Sequence, residues 1–170
     1  PMEFIPLLEE TGLIIPAGRF ILKEAAKMCC EILQFIPDFQ MNINVSYVQI
    51  TQGSVEDDII EVIKKYALDP ASICIEMTES GFIDMTIPFI RFRHKLESNR
   101  IHFVIDDFGT GYSNLHCISD MNPDYIKIDR DFTAKAMDGQ RDYELFKNII
   151  TMIHSVNARI CVEGIEQREW

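Results

Sequence analysis

Apolar residues recur at Phe20, Ile21, Ala25, Met28 and Leu33, the three-and-four spacing of a helix face, and Pro37 ends the run. The same spacing predicts a helix from Val55 to Tyr66, in which Ile59, Ile60, Val62, Ile63 and Tyr66 are apolar while Glu61, Lys64 and Lys65 are polar. Two more follow: Met85 to Leu96, with Pro88 near its start where proline is tolerated, and the longer Tyr143 to Val156. A short amphipathic turn at Phe4 to Leu8 and a short helix from Ser113 to Ile118 complete the helical set. Between them lie brief strand-like runs: Met41 to Val45, Ile73 to Ile75, Ile101 to Ile105, Tyr125 to Ile128 and Arg159 to Val162. Strands alternating with helices imply a parallel sheet with right-handed crossovers, which either a barrel or a doubly wound sheet would satisfy.

The polar residues that close these strands favour the barrel. Asn44, Glu76, the pair Asp106-Asp107, Lys127 and Glu163 each stand at the end of a different strand. In a TIM-type (β/α) barrel all carboxyl ends open on one mouth, whereas a doubly wound sheet brings only its switch-point strands to a ligand. One acid at a strand end is more often a helix cap, but this pattern repeats strand after strand. The centre of the chain is IHFVIDDFGTGYSNL, Ile101 to Leu115, where the buried run stops at Asp106-Asp107. Gly109-Thr110-Gly111 then permits positive φ and close backbone approach, and Tyr112-Ser113 opens a helix.

Four carboxylates and one amide are hard oxygen ligands suited to Mg²⁺ or Mn²⁺, and without a cation they would repel one another. That is enough for two ions, which could clamp a phosphodiester and activate water, with Lys127 adding a positive charge. A barrel using one Mg²⁺ to stabilise an enolate would also fit.

Composition narrows the partners. The 170 residues fit one domain, and the formal charge of −11 offers no basic stripe for a nucleic acid polymer, so a phosphate ligand would take its positive charge from metal ions. No apolar run approaches the ~20 residues of a membrane span, and no signal peptide is evident. Five cysteines, an odd number without a CxxC pair, read as reduced thiols filling the core in a cytoplasmic compartment, and give no zinc spacing. His94, His102, His116 and His154 read as surface or packing residues, the methionines as core filler, and Glu56-Asp57-Asp58 as a helix cap.

FIPLLEETGLI near the start, INVS at 43–46, IEMTES at 75–80, IDDFGTGYSNL at 105–115, IKIDRDF at 126–132 and VEGIE at 162–166 together resemble the EAL domain, the bacterial cyclic di-GMP phosphodiesterase family. The motifs keep the family's order across the chain. The resemblance implies a (β/α) barrel that hydrolyses cyclic di-GMP to linear pGpG with two Mg²⁺ or Mn²⁺ ions. It implies Asn44, Glu76 and Asp106 as metal ligands, with Asp107 holding the second ion. Lys127 would orient the attacking water, Glu163 would serve as ligand or base, and Glu79 would brace the loop Phe108 to Ser113.

The family's eponymous Glu-Ala-Leu lies upstream of the FIPLLEE segment and is absent, Glu24-Ala25-Ala26 being downstream and mid-helix. The glutamine-glycine-tyrosine segment of the family is missing too, and Gln167 replaces the usual Thr. The expectation is therefore an EAL domain over 1–170 truncated at both ends, an incomplete barrel of about five to six βα units, weak or inactive alone. Open edges would favour a homo-oligomer, and sensor or GGDEF-type domains would be attached in the full protein. The alternatives are a non-catalytic cyclic di-GMP receptor, which would normally show erosion at Glu76, Asp106 or Lys127, and a protein-interaction scaffold.

Overall fold

The computed structural model describes residues 3–79, 85–110, 118 and 121–165. The chain forms two compact units, Pro1–Glu76 with Asp84–His102, and Met77–Ile83 with Phe103–Trp170.

In the first unit, α1 (Ile5–Glu10) and α2 (Ile14–Leu33) precede β1 (Met41–Asn44), α3 (Tyr47–Gln52), α4 (Val55–Lys65), a 3₁₀ turn at Pro70–Ser72, β2 (Ile73–Thr78) and α5 (Ile87–Ser98). Strands β1 and β2 are parallel, in a register that sets Asn44 beside Glu76. Strand β2 is buried from Ile73 to Met77, as expected of a strand covered on both faces. Ile59 and Ile63 of α4 and Phe89, Phe92 and Leu96 of α5 are buried as well, and α4 and α5 pack together.

Helix α2 forms as expected but turns a different face inward. The buried stripe is Ile14, Gly18, Leu22, Ala26 and Cys29, whereas Phe20, Ile21 and Met28 are at least half exposed. Both stripes have helical spacing, so periodicity alone left the phase open. Helix α4 carries Glu56, Asp57 and Asp58 in its first turn and Lys64 and Lys65 in its last, which matches the helix dipole at both ends. Glu56, however, is 1% exposed and takes a hydrogen bond from Arg91 Nε of α5 at 2.9 Å, so it ties two helices together rather than capping one.

The second unit contains β3 (His102–Phe108), β4 (Tyr125–Ile128), α6 (Arg130–Ala136), α7 (Gln140–Ser155) and β5 (Arg159–Val162). Strand β4 lies between β3 and β5 and is parallel to both. Contrary to expectation, β3 does not stop at Asp106-Asp107. Ile105 pairs with Ile126 and Phe108 with Ile128, so one extra residue is accommodated on β3, a β-bulge with Asp107 at φ 55°. Helix α6 follows β4 directly, with Asp129 as its N-cap accepting from the amides of Asp131 at 2.8 Å and Phe132 at 3.4 Å.

Cys29 and Cys74 are buried as expected, but Cys161 is exposed because β5 fully buries none of its side chains. The expected helix Ser113 to Ile118 lies outside the described residues except for Ile118, as do Gly111, Cys117, His116 and Gln167. Among the described residues no helix is long and apolar enough to cross a membrane.

Candidate active site

In the first unit, register does the positioning. Asn44, the last residue of β1, pairs with Glu76, and Val45 N continues the ladder by donating to Glu76 O at 2.8 Å; β2 does not close at Glu76 as expected but runs two residues further, to Thr78. Asn44 Nδ2 donates to Glu76 Oε2 at 3.4 Å, with the amide oxygen of Asn44 a second hard donor at the same place. The Glu76 side chain is 3% exposed, and a carboxylate so buried requires polar or cationic company.

In the second unit, Lys127 at the end of β4 lies between two acids. Its Nζ is 3.0 Å from Asp106 Oδ1 on β3 and 2.9 Å from Glu163 Oε1 just beyond β5. Glu163 N donates to Ile128 O at 3.0 Å, which extends the β4–β5 ladder by one residue and fixes where the Glu163 side chain starts. The bulge places Asp106 and Asp107 consecutively at the same level of β3, and Asp107 N donates to Asp106 Oδ1 at 3.0 Å. Burial, and then the negative charges of Asp106, Asp129 and Glu163, push the Asp107 carboxyl above its usual value, with Lys127 partly offsetting them.

The turn after these acids is anchored from two sides. Glu79 Oε2 accepts from Gly109 N at 3.0 Å, and Thr110 Oγ1 donates to Asp107 O at 2.9 Å. Gly109 has φ 102°, and a Cβ there would come within 2.9 Å of Phe132. Gly164, after Glu163, has φ 76°, and a Cβ there would be 2.5 Å from Arg130 Cβ. Both acid-bearing segments therefore lean on the first turn of α6. Sequence reasoning missed Arg130 and Phe132, although Asp129 followed by Arg-Asp-Phe was an available N-cap signal.

Asp106, Asp107, Lys127 and Glu163 come together in one unit, with Glu79 behind them, and Asn44 meets Glu76 in the other. Among the described residues no three His, Cys, Asp or Glu side chains group closely enough to enclose a metal ion by themselves. The donor chemistry nevertheless fits Mg²⁺ or Mn²⁺: every candidate ligand is a hard oxygen, and a cation would offset both the burial and the neighbouring negative charge that raise Asp107.

The sequence profile of the EAL domain matches residues 1–170, the whole chain. The chain belongs to the EAL domain family. It is 30% identical over 170 residues to the cyclic di-GMP phosphodiesterase PdeL of Escherichia coli K12, covering 99% of this chain and 47% of PdeL. The EAL enzyme Bd1971 in its cAMP-bound form superposes with a TM-score of 0.88 at 30% identity, over 99% of this chain and 48% of that one. The MucR phosphodiesterase in complex with c-di-GMP gives 0.86 at 28% identity, over 99% of this chain and 74% of that one. The α/β fold with parallel strands is thus that of EAL domain structures, which are TIM-like barrels. EAL phosphodiesterases are metal-dependent hydrolases. The chain spans about half the length of PdeL.

Proposed function

We propose that this EAL chain hydrolyses cyclic di-GMP to linear pGpG. The observation that carries the reading is the Lys127 ammonium of β4, shared by Asp106 on β3 and Glu163 just beyond β5, the two strands that flank it, in a chain that matches the EAL domain from end to end. Asn44, Glu76, Asp106, Asp107 and Glu163 would hold two Mg²⁺ or Mn²⁺ ions. Such ions supply Lewis acidity toward a phosphodiester and make water acidic enough to deprotonate near neutral pH.

The chain's own residues do the rest. Lys127, fixed by two carboxylates, orients the attacking water, and Glu163 takes its proton or serves as a ligand. The water oxygen bonds to phosphorus, one phosphorus–oxygen ester bond breaks, and the released 3′ oxygen takes up a proton. Glu79 holds the Gly109 amide, so that the turn leaving Asp107 keeps one conformation while substrate binds. Asp106 contributes twice, as ligand and as partner of Lys127.

The same reading places the protein in the cytoplasm, associates it with a second copy of itself and joins it to sensor or GGDEF-type domains. Sedimentation of the full-length protein as a monomer at all concentrations would remove the second of these. The activity is tested by incubating the full-length protein with cyclic di-GMP and Mn²⁺ and following pGpG by chromatography. Product that forms with metal and ceases on chelation is the expected result. Tight cyclic di-GMP binding without product would identify a receptor instead.

A further inference from the structure

Outside the acids already described, the first unit contains a half-buried polar cluster just beyond the end of β1. Ser46, two residues after Asn44, is the N-cap of α3. Its hydroxyl accepts from Val48 N at 3.2 Å and donates its one proton to the Glu9 carboxylate of α1. Gln49 Oε1 accepts from Ser46 N at 3.0 Å, completing a capping box, and the Gln49 side chain is 5% exposed. Its amide end is seated on α2 at Gly18, where an added Cβ would lie 2.0 Å from Gln49 Nε2.

A capping box is ordinary at the start of a helix as short as α3, but here its two side chains are also tied to α1 and α2. A glycine inside α2 weakens that helix, and burying the Gln49 amide is costly unless it is satisfied. Both side chains converge on Ser46, Gln49 at its backbone amide and Glu9 at its hydroxyl. That backbone is continuous with Val45, whose amide is bonded to Glu76 O, and with Asn44, whose side chain is bonded to Glu76. The turn is therefore held from α1 by Glu9, from α2 by Gly18 through Gln49, and from β2 by Glu76.

We propose that Glu9, Ser46 and Gln49, seated on Gly18, form a positioning network that fixes the Asn44 side chain for metal binding. The inference rests on the reading of Asn44 as a ligand given above. Residues that orient a ligand from behind are worth on the order of 10-fold or more in metal affinity when removed. Glu9 and Gln49 touch no reacting atom, so they act through the turn.

The test is calorimetric titration of the full-length protein with Mn²⁺, alongside thermal melting. Glu9→Ala and Ser46→Ala are expected to weaken Mn²⁺ binding about 10-fold. Glu9→Gln, whose amide oxygen can still accept the Ser46 proton, stays close to the parent. Ile50→Val, a core change in the same helix, lowers the melting temperature and leaves Mn²⁺ affinity unchanged, which separates positioning from general loosening. Should Glu9→Ala fail to fold, Ser46→Ala, which deletes one atom, provides the same reading. Affinity within twofold of the parent in Ser46→Ala, while Asn44→Ala binds weakly, overturns the network and leaves the ligand assignment standing. Unchanged affinity in Asn44→Ala overturns the assignment itself, and the network's purpose with it.

Discussion

Replacing Lys127 by Ala separates the two things its ammonium does. At a 3.0 Å contact, Coulomb attraction in an effective dielectric of ~20 is on the order of 5 kcal/mol before desolvation is counted. Desolvation of the three groups and the 36% exposure of the Glu163 side chain offset most of it, leaving a net loss of stability of about 1–3 kcal/mol. A domain with the usual ~5–15 kcal/mol of stability remains folded after that loss. Activity should fall much further, by about 100- to 10,000-fold in kcat, the range expected when a positioned proton-handling group is deleted, or ~3–5 kcal/mol in the barrier. The assay is steady-state hydrolysis of cyclic di-GMP with Mn²⁺, paired with urea denaturation of the same samples. Lys127→Arg restores charge without the compact ammonium and should recover stability more than rate. A Lys127→Ala protein with kcat within about threefold of the parent refutes the role given to this residue.

Other consequences are equally concrete. Gly164→Ala forces a side chain into φ 76° and against Arg130, and should cost about 1–3 kcal/mol in urea denaturation; an unchanged midpoint contradicts the close approach. Arg91→Ala leaves the buried Glu56 with the longer Lys95 Nζ contact at 3.9 Å and should cost about 1–3 kcal/mol, most of it recovered when Glu56→Leu is added; no recovery would show that the pair is not what matters. Asp107 titrates above its usual value when folded, so its ionised form costs stability above the folded pKa, and that cost vanishes as pH falls through the folded pKa. In chelator, Asp107→Asn should therefore melt above the parent at neutral pH, with the gap closing on acidification; a lower melting temperature at neutral pH contradicts this.

Much of this arrangement was visible in the residues alone. The apolar run Ile73 to Ile75 forms the buried start of β2 and Tyr125 to Ile128 forms the half-buried β4, and a polar residue at or near the carboxyl end of each run stands out, although β2 continues past Glu76 to Thr78 and Lys127 lies within β4. Hence Asn44, Glu76, Asp106, Lys127 and Glu163 could be picked out without coordinates. What was not legible depends on tertiary contact. The face α2 buries was hidden because both stripes are apolar, and only Gly18 against Gln49 marks the inner one. The bulge at Asp107 is set by the register of β3 on β4, which no local pattern encodes. Helices α3 and α6 are too short to show a period, although their caps, Ser46 with Gln49 and Asp129, were present as signals. That Lys127 stands between two acids, rather than beside one, follows from β4 lying between β3 and β5.

The central claim is that oxygen donors at the strand ends hold divalent ions. Crystals of the full-length protein grown with Mn²⁺ and measured at the manganese absorption edge test it most directly. The account predicts anomalous peaks in contact with Asn44, Glu76, Asp106, Asp107 and Glu163, lost when Asp106 is replaced by Ala. Manganese bound elsewhere, with these side chains touching none of it, would contradict the account.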